Sequence, residues 1–318
     1  MLLEIEHHLR FDYSAFVRES HMEVRVEPRT QAGQVLHEFN LAVGPHAQPT
    51  RHEDWLGNAL HWFSITDFHE RVELLARSLV ETAPAEIQPT ELSDRLDAMC
   101  PELDSWDLLQ FGGPVIHSKL LEQLDADIGL QKCSTIGELI AGIAGNLRSQ
   151  IQYRSQVTNS SSTSDHCLKT RAGVCQDFAH VTLGLLRLHG VPCRYVNGYL
   201  HVEHLDKPAE SHAWVEVHSP SHGWVGFDPT HACAPDERHV VVAYGRYYDD
   251  VPPNRGIFRG VAEEHLYAQV RTTPIERRER GHKPPPMVKE VPVFLEAPDV
   301  TASQQLRSDE AAQQQQQQ

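Results

Sequence analysis

The sequence has no Cys-x-x-Cys pair, no basic stripe and no apolar run long enough to cross a membrane, and each absence narrows the field. Its six cysteines (Cys100, Cys133, Cys167, Cys175, Cys193 and Cys233) are scattered, and a chain of this size in a reducing compartment needs no disulfides, so they are read as free thiols. Basic side chains number 28 against 44 acidic ones, a formal charge of −16. That balance argues against nucleic acid and against an anionic membrane surface as partner. The opening residues Met1 to His8 carry no basic segment followed by an apolar one, so the expected location is cytoplasmic. Histidine, by contrast, is plentiful at 21. The paired candidates His7-His8 and His201/His204 lack companions at a zinc-ligand spacing, and neither a metal nor a cofactor is expected.

The 318 residues allow two domains. Up to about Glu81 the signal is β: Met22–Glu27 alternates polar and apolar residues, and Gln34–Leu41 and Ala59–Ile65 are strand-like between turn residues. Short strands at this rhythm suggest an antiparallel sandwich-like N-terminal domain over residues 1–95, including a Pro- and acid-rich connection that begins near Ala83. Residues 96–275 then form the second domain. In it the spacing of Ile136, Leu139, Ile140, Ile143, Leu147 and Ile151 predicts a helix from Thr135 to Arg154, capped by Ser134 or Thr135. Ser155–Asp165 reads as a loop, Cys193–Leu200 and Val240–Gly245 as strands, and a last strand near His265–Arg271 closes this domain. Residues 276–318, rich in charge, proline and finally glutamine, read as a disordered tail.

The chemistry concentrates around Arg171-Ala172-Gly173-Val174-Cys175-Gln176-Asp177-Phe178-Ala179-His180. Phe178, Val181, Leu185 and Leu188 recur at helical spacing, which puts Cys175 in a first helical turn. An ordinary thiol is only a few per cent thiolate at neutral pH. The unpaired N–H groups and positive dipole end of a helix start favour the thiolate, and those N–H groups can also donate to an oxyanion. A small buried hydrophobe is the competing reading. Asp177 is expected to satisfy helix N–H groups with its carboxylate turned from Cys175, and His180 to be structural. The backbone N–H of Cys175 is one candidate oxyanion donor; the residues name no second.

Downstream, Ser211–His218 and Trp224–Thr230 flank the turn Ser219-Pro220-Ser221-His222-Gly223, a hairpin pattern. If His218 pairs with Trp224, Asp228 falls opposite Trp214, two residues from His212 and on its face of the sheet. A thiol, an imidazole and a carboxylate that orients the imidazole make the nucleophile, base and orienter of acyl-transfer catalysis. Pro229 would end the strand and fix Asp228 at its tip. Trp214 and Trp224 read as hairpin packing, and Cys167 as an idle thiol.

These stretches, with Arg194-Tyr195-Val196-Asn197-Gly198-Tyr199, resemble the bacterial transglutaminase-like proteins, and Asp54-Trp55-Leu56-Gly57-Asn58 resembles part of the β-rich domain that precedes the core in that family. The resemblance implies an α+β fold with a papain-like core and, position by position, Cys175 as nucleophile, His212 as base and Asp228 as orienter. Ala172 and Cys193 depart from the residues common there. It also implies a peptide or protein amide as substrate, attacked through an acyl-enzyme. Transfer of the acyl group to an amine and hydrolysis by a peptidase or amidase both stay open, as does a non-catalytic binding module on the same fold. Oligomeric state is not legible in the sequence.

Overall fold

The computed structural model describes residues 1–100, 103–155, 157–203 and 211–275. The N-terminal part is built on β1 (Leu2–Val24), followed by β2 (Gln34–Gly44), β3 (Thr50–Glu53), β4 (Ala59–Ile65) and β5 (His69–Thr82). The second part contains α1 (Lys119–Ile128), α2 (Ile136–Gln150), β6 (Gln152–Tyr153), α3 (Ser164–Thr170), β7 (Ala172–Gly173), α4 (Cys175–Leu188), β8 (Cys193–Leu200), β9 (His212–Ser219), β10 (Gly223–Phe227) and β11 (His239–Gly245). Two last strands, β12 (Asn254–Arg259) and β13 (Glu264–Pro274), return to β1.

β1 is long because its alternation barely breaks: Leu3, Ile5, His7, Leu9, Phe11 and Tyr13 all point inward. Its first half lies between β5 and β13, and its second half between β4 and β12. A register shift between Asp12 and Val17 separates the halves, the local irregularity by which a strand bends. Leu9, Phe11 and Val72 on one side of the shift and Met22, Val24 and Phe63 on the other share one core. The expected sandwich-like layering is thus made from one bent strand common to both layers. His7 interrupts the apolar pattern, and its Nδ1 meets the Tyr199 hydroxyl of β8 at 2.9 Å. Burial, with His8 beside it, pushes that imidazole down to about 4, so His7 enters the core neutral.

The placement of β12 and β13 differs from the sequence expectation. Residues up to 275 were assigned to the second domain, yet both strands pair along β1, where Glu264–Pro274 supplies the partner missing on one side of Leu3–Tyr13. Alternation identifies a strand but not its neighbour, which explains the difference. The tail expected over 276–318 lies outside the described residues.

The second part centres on an antiparallel sheet of order β10-β9-β8-β11. Ala213, Val215, Val217, Val225 and Phe227 cover one face and join Phe178, Val181 and Leu185 of α4 and Leu139, Ile143 and Leu147 of α2 in a common core. Full burial of one such aliphatic or aromatic side chain contributes about 2 kcal/mol, so packing rather than intrinsic helix propensity holds α2 and α4. Thr135 caps α2 by accepting from the Glu138 N–H at 3.2 Å. The helix stops at Gln150, short of the expected Arg154, because Gln152–Tyr153 pair in parallel with Ala172–Gly173. α3 begins where the polar loop was expected to end, and α1 was not anticipated.

β11 is the edge of this sheet, and two amide side chains from the N-terminal part seal it. Gln34 donates to the Val241 carbonyl at 2.8 Å and accepts from the Val241 N–H at 2.7 Å. Asn58 does the same to Tyr244, at 2.8 Å in both directions. Each imitates a strand residue and satisfies backbone groups that a bare edge would expose.

Candidate active site

Cys175 opens α4, and the turn before it is shaped by a carboxylate. Asp177 accepts from the Val174 N–H at 2.8 Å and from the Thr158 hydroxyl at 2.6 Å, while buried, so its charge is spent on the helix start as expected. Burial nevertheless pushes its pKa upward, against those hydrogen bonds. A Cβ on Gly173 would lie 2.6 Å from the Asp177 Cβ, so only glycine lets the carboxylate fold back there. With Asp177 occupied, the N–H groups of Cys175 and Gln176 have no protein acceptor among the described residues. They are the orphan donors of a helix start.

The hairpin has the register read from the sequence: Trp224 lies opposite His218, and Gly226 opposite Glu216. β10 ends at Phe227, just before Asp228-Pro229. His212 Nε2 meets Asp228 Oδ2 at 2.8 Å, in a site where Asp228 is fully buried and His212 is 8% exposed. Nδ1 is then the ring nitrogen left for Cys175, which lies near enough to His212 to help raise it. Burial opposes a charged imidazole here, but Asp228 on one side and Cys175 on the other outweigh it and raise His212 to about 9. The structure therefore brings together Cys175, His212 and Asp228, the three residues singled out in the sequence.

Two further histidines surround the carboxylate. Asp228 Oδ2 also accepts from His231 Nδ1 at 2.8 Å and from His239 Nε2 at 3.2 Å, and Oδ1 accepts the N–H groups of Thr230 and His231 at 2.9 and 3.2 Å. Burial would raise this carboxyl, but hydrogen bonds from His212, His231 and His239 hold it well below the usual carboxylate range. The Asp228 hydrogen bond in turn raises His231. His231 was legible in principle, since Asp228-Pro229-Thr230-His231 is a turn whose side chains fold back on the aspartate. His239 sits at the start of β11, and only the tertiary fold brings it to Asp228.

The ligand atoms of His212, Asp228 and His231 lie within 4.8 Å of one another, close enough to hold a cation. The two contacts to Asp228 Oδ2, at 2.8 Å, are of N–H···O length. His7, His8 and His201, the metal candidates weighed in the sequence, are engaged instead by Tyr199, Glu73 and Thr272, and His204 lies outside the described residues.

Neighbouring residues mostly pack. Trp214 is buried beside the His212 and His239 rings, with centroids 5.9 and 5.4 Å away. Gly198, opposite His212, makes room for it, since a Cβ there would come within 2.5 Å of the indole. Trp224 lies under the Arg194 guanidinium at 4.1 Å. Cys167 is buried, and its thiol is pushed up to about 12 by burial and by Asp177. All six cysteines are free thiols.

Comparison with known proteins supplies the family. A family model described as the transglutaminase-like superfamily matches residues 123–229, and one described as the bacterial transglutaminase-like N-terminal region matches residues 3–81. An uncharacterised protein of Mycobacterium tuberculosis (strain ATCC 25618 / H37Rv) is 30% identical over 276 residues, which cover 80% of this chain and 86% of that protein. The chain belongs to the transglutaminase-like superfamily. A protein-glutamine gamma-glutamyltransferase of Pseudomonas aeruginosa is 30% identical over 116 residues, 33% of this chain and 17% of that enzyme. A Cytophaga hutchinsonii protein proposed to be a cysteine protease has a solved structure that superposes with a TM-score of 0.68 at 19% identity, covering 89% of this chain and 95% of the other. That likeness extends over both parts of this transglutaminase-like chain and concerns their fold. Among its described residues no helix is long and apolar enough to cross a membrane.

Proposed function

We propose that this transglutaminase-like protein is a cysteine-dependent acyl-transfer enzyme acting on a peptide or carboxamide, with Cys175 as nucleophile, His212 as acid and base, and Asp228 as orienter. The observation that carries this reading is the buried 2.8 Å contact of His212 Nε2 with Asp228, which leaves Nδ1 for a thiol at a helix start. The Cys175 thiolate attacks the amide carbonyl carbon and forms a C–S bond, while the oxyanion faces the free N–H of Cys175. As the intermediate collapses, the C–N bond breaks, and the leaving amine takes its proton from the His212 imidazolium. A thioester on Cys175 and a neutral His212 remain. The acceptor then loses a proton to His212 and attacks the thioester carbon; the C–S bond breaks, and the thiolate and imidazolium are restored.

The acceptor is read as a primary amine, supported by the name of the Pseudomonas relative, which denotes γ-glutamyl transfer. Mass spectrometry of glutamine-containing peptides incubated with the protein, with and without an added primary amine, tests this. The expected product carries the amine in place of ammonia. Product in which only water has replaced ammonia, at the same rate with or without amine, would overturn transfer and assign hydrolysis instead.

A further inference from the structure

Beside the start of α4 lies an open cavity of about 520 Å3, lined among others by Ser160, Tyr248, Asp249, Arg255 and Leu266. That volume is in the ~300–1,000 Å3 range of small-ligand sites. The helix that carries Cys175 also holds two of the cavity walls. Gln176 Nε2 donates to the Ser160 carbonyl at 3.2 Å, and His180 Nε2, one helical turn further, accepts from the Tyr248 N–H at 3.2 Å. Burial keeps His180 neutral, down to about 3, which leaves that nitrogen free to accept. The Tyr248 ring packs edge-on against Tyr195 at 6.3 Å, and burial, with Cys175 and Tyr248 nearby, pushes the Tyr195 hydroxyl up. The far wall is Arg255 on β12 and Leu266 on β13, the two strands that return to the N-terminal sheet.

The cavity lining carries one cation, Arg255, and one carboxylate, Asp249. Arg255 donates to the Asp249 backbone carbonyl at 2.5 Å, and among the described residues no carboxylate lies within ion-pair distance of its guanidinium. The Asp249 carboxylate is disfavoured by burial and by Asp250, and Arg255 offsets this only in part. A cation anchored through one N–H, with its other donors open, suits a planar carboxylate.

We propose that this cavity binds the substrate chain and that Arg255 selects an acyl donor carrying a carboxylate within a few residues of the reactive amide. The proposal rests on the reading of Cys175 as nucleophile. It gives the returning strands a part in specificity, since they bring Arg255 to the cavity.

The test uses the full chain and three matched glutamine peptides whose residues flanking the glutamine are Glu, Gln or Lys. Acylation of Cys175 is followed by intact mass. The Glu-flanked peptide is expected to react about tenfold faster than the Lys-flanked one, as one charge-assisted pair allows. Arg255→Gln should abolish that preference and Arg255→Glu should invert it, with thermal unfolding recorded to show that each variant is folded. If Arg255→Glu does not fold, Arg255→Gln decides alone. Equal rates for the three peptides, or a preference that survives Arg255→Gln, would overturn the proposal. So would acylation by none of them while Cys175 still alkylates faster than the other thiols. If Cys175 shows neither acylation nor preferential alkylation, the functional reading fails and takes this proposal with it.

Discussion

Asp228 does more than a single partner for His212 requires. Three imidazoles and two backbone N–H groups converge on one buried carboxylate, which fixes it as an anion in a place where burial alone would neutralise it. The consequence passes to His212, which Asp228 and Cys175 raise to about 9. Because His212 must be protonated to hand a proton to the leaving amine, acylation should fall as pH rises through about 9. Asp228→Asn should carry that alkaline limb toward the ordinary imidazole value of ~6.5 and slow acylation by about 10²–10⁴-fold. A pH–rate profile of acylation in both proteins checks this; an alkaline limb that stays near 9 in the variant would assign the raised value to something other than Asp228. The same linkage bears on stability. His212, raised in the fold, contributes fully below its unfolded value and loses the contribution as pH rises through about 9. Asp228, depressed, contributes above its unfolded value of ~3.9 and loses the contribution as pH falls below it.

At the scale of elements, the strands and helices next to the chemistry were the readable ones. α4, β8 and the β9–β10 hairpin announce themselves through apolar periodicity and turn residues, and the hairpin register followed from one assumed pair, His218 with Trp224. α3 was not, because it is short and largely polar and held by its Thr163 cap, and α1 was passed over although Leu121, Leu124 and Ile128 recur at helical spacing behind the Ser118 cap. The sealing of the β11 edge by Gln34 and Asn58 was equally invisible, since nothing in a glutamine or asparagine tells which distant backbone it will meet. Gln34→Ala would orphan the Val241 N–H, while the carbonyl keeps the Arg29 N–H at 3.1 Å, and is expected to cost about 2 kcal/mol. Urea unfolding should show a lower midpoint at unchanged slope. An unaltered midpoint would mean that water replaces the amide without loss and that the edge needs no seal.

For the whole molecule, the two parts interlock rather than follow one another. β1 is completed by β12 and β13 from beyond the second part, and His7 and Gln34 reach from the N-terminal sheet to Tyr199 and Val241. Strand-like segments were visible along the chain, but the long-range pairing of Glu264–Pro274 with Leu3–Tyr13 was not, so placing all of residues 96–275 in the second part separated two strands from the sheet they complete. The three residues of the candidate site were legible because helix start, strand alternation and turn chemistry are local signals. His239 was not, because it arrives from β11. The central claim, that among six thiols the fold activates Cys175 through His212, has a direct test in site-resolved alkylation of the intact protein. Four of the others are disfavoured as thiolates by burial, with Cys167 at about 12 and Cys193 and Cys233 at about 11, and Cys133 is raised as well. With iodoacetamide at neutral pH, Cys175 should react at least about tenfold faster than any other cysteine, and His212→Ala should remove that lead. Equal labelling of all six thiols in the folded protein, or a lead that persists without His212, would contradict the account.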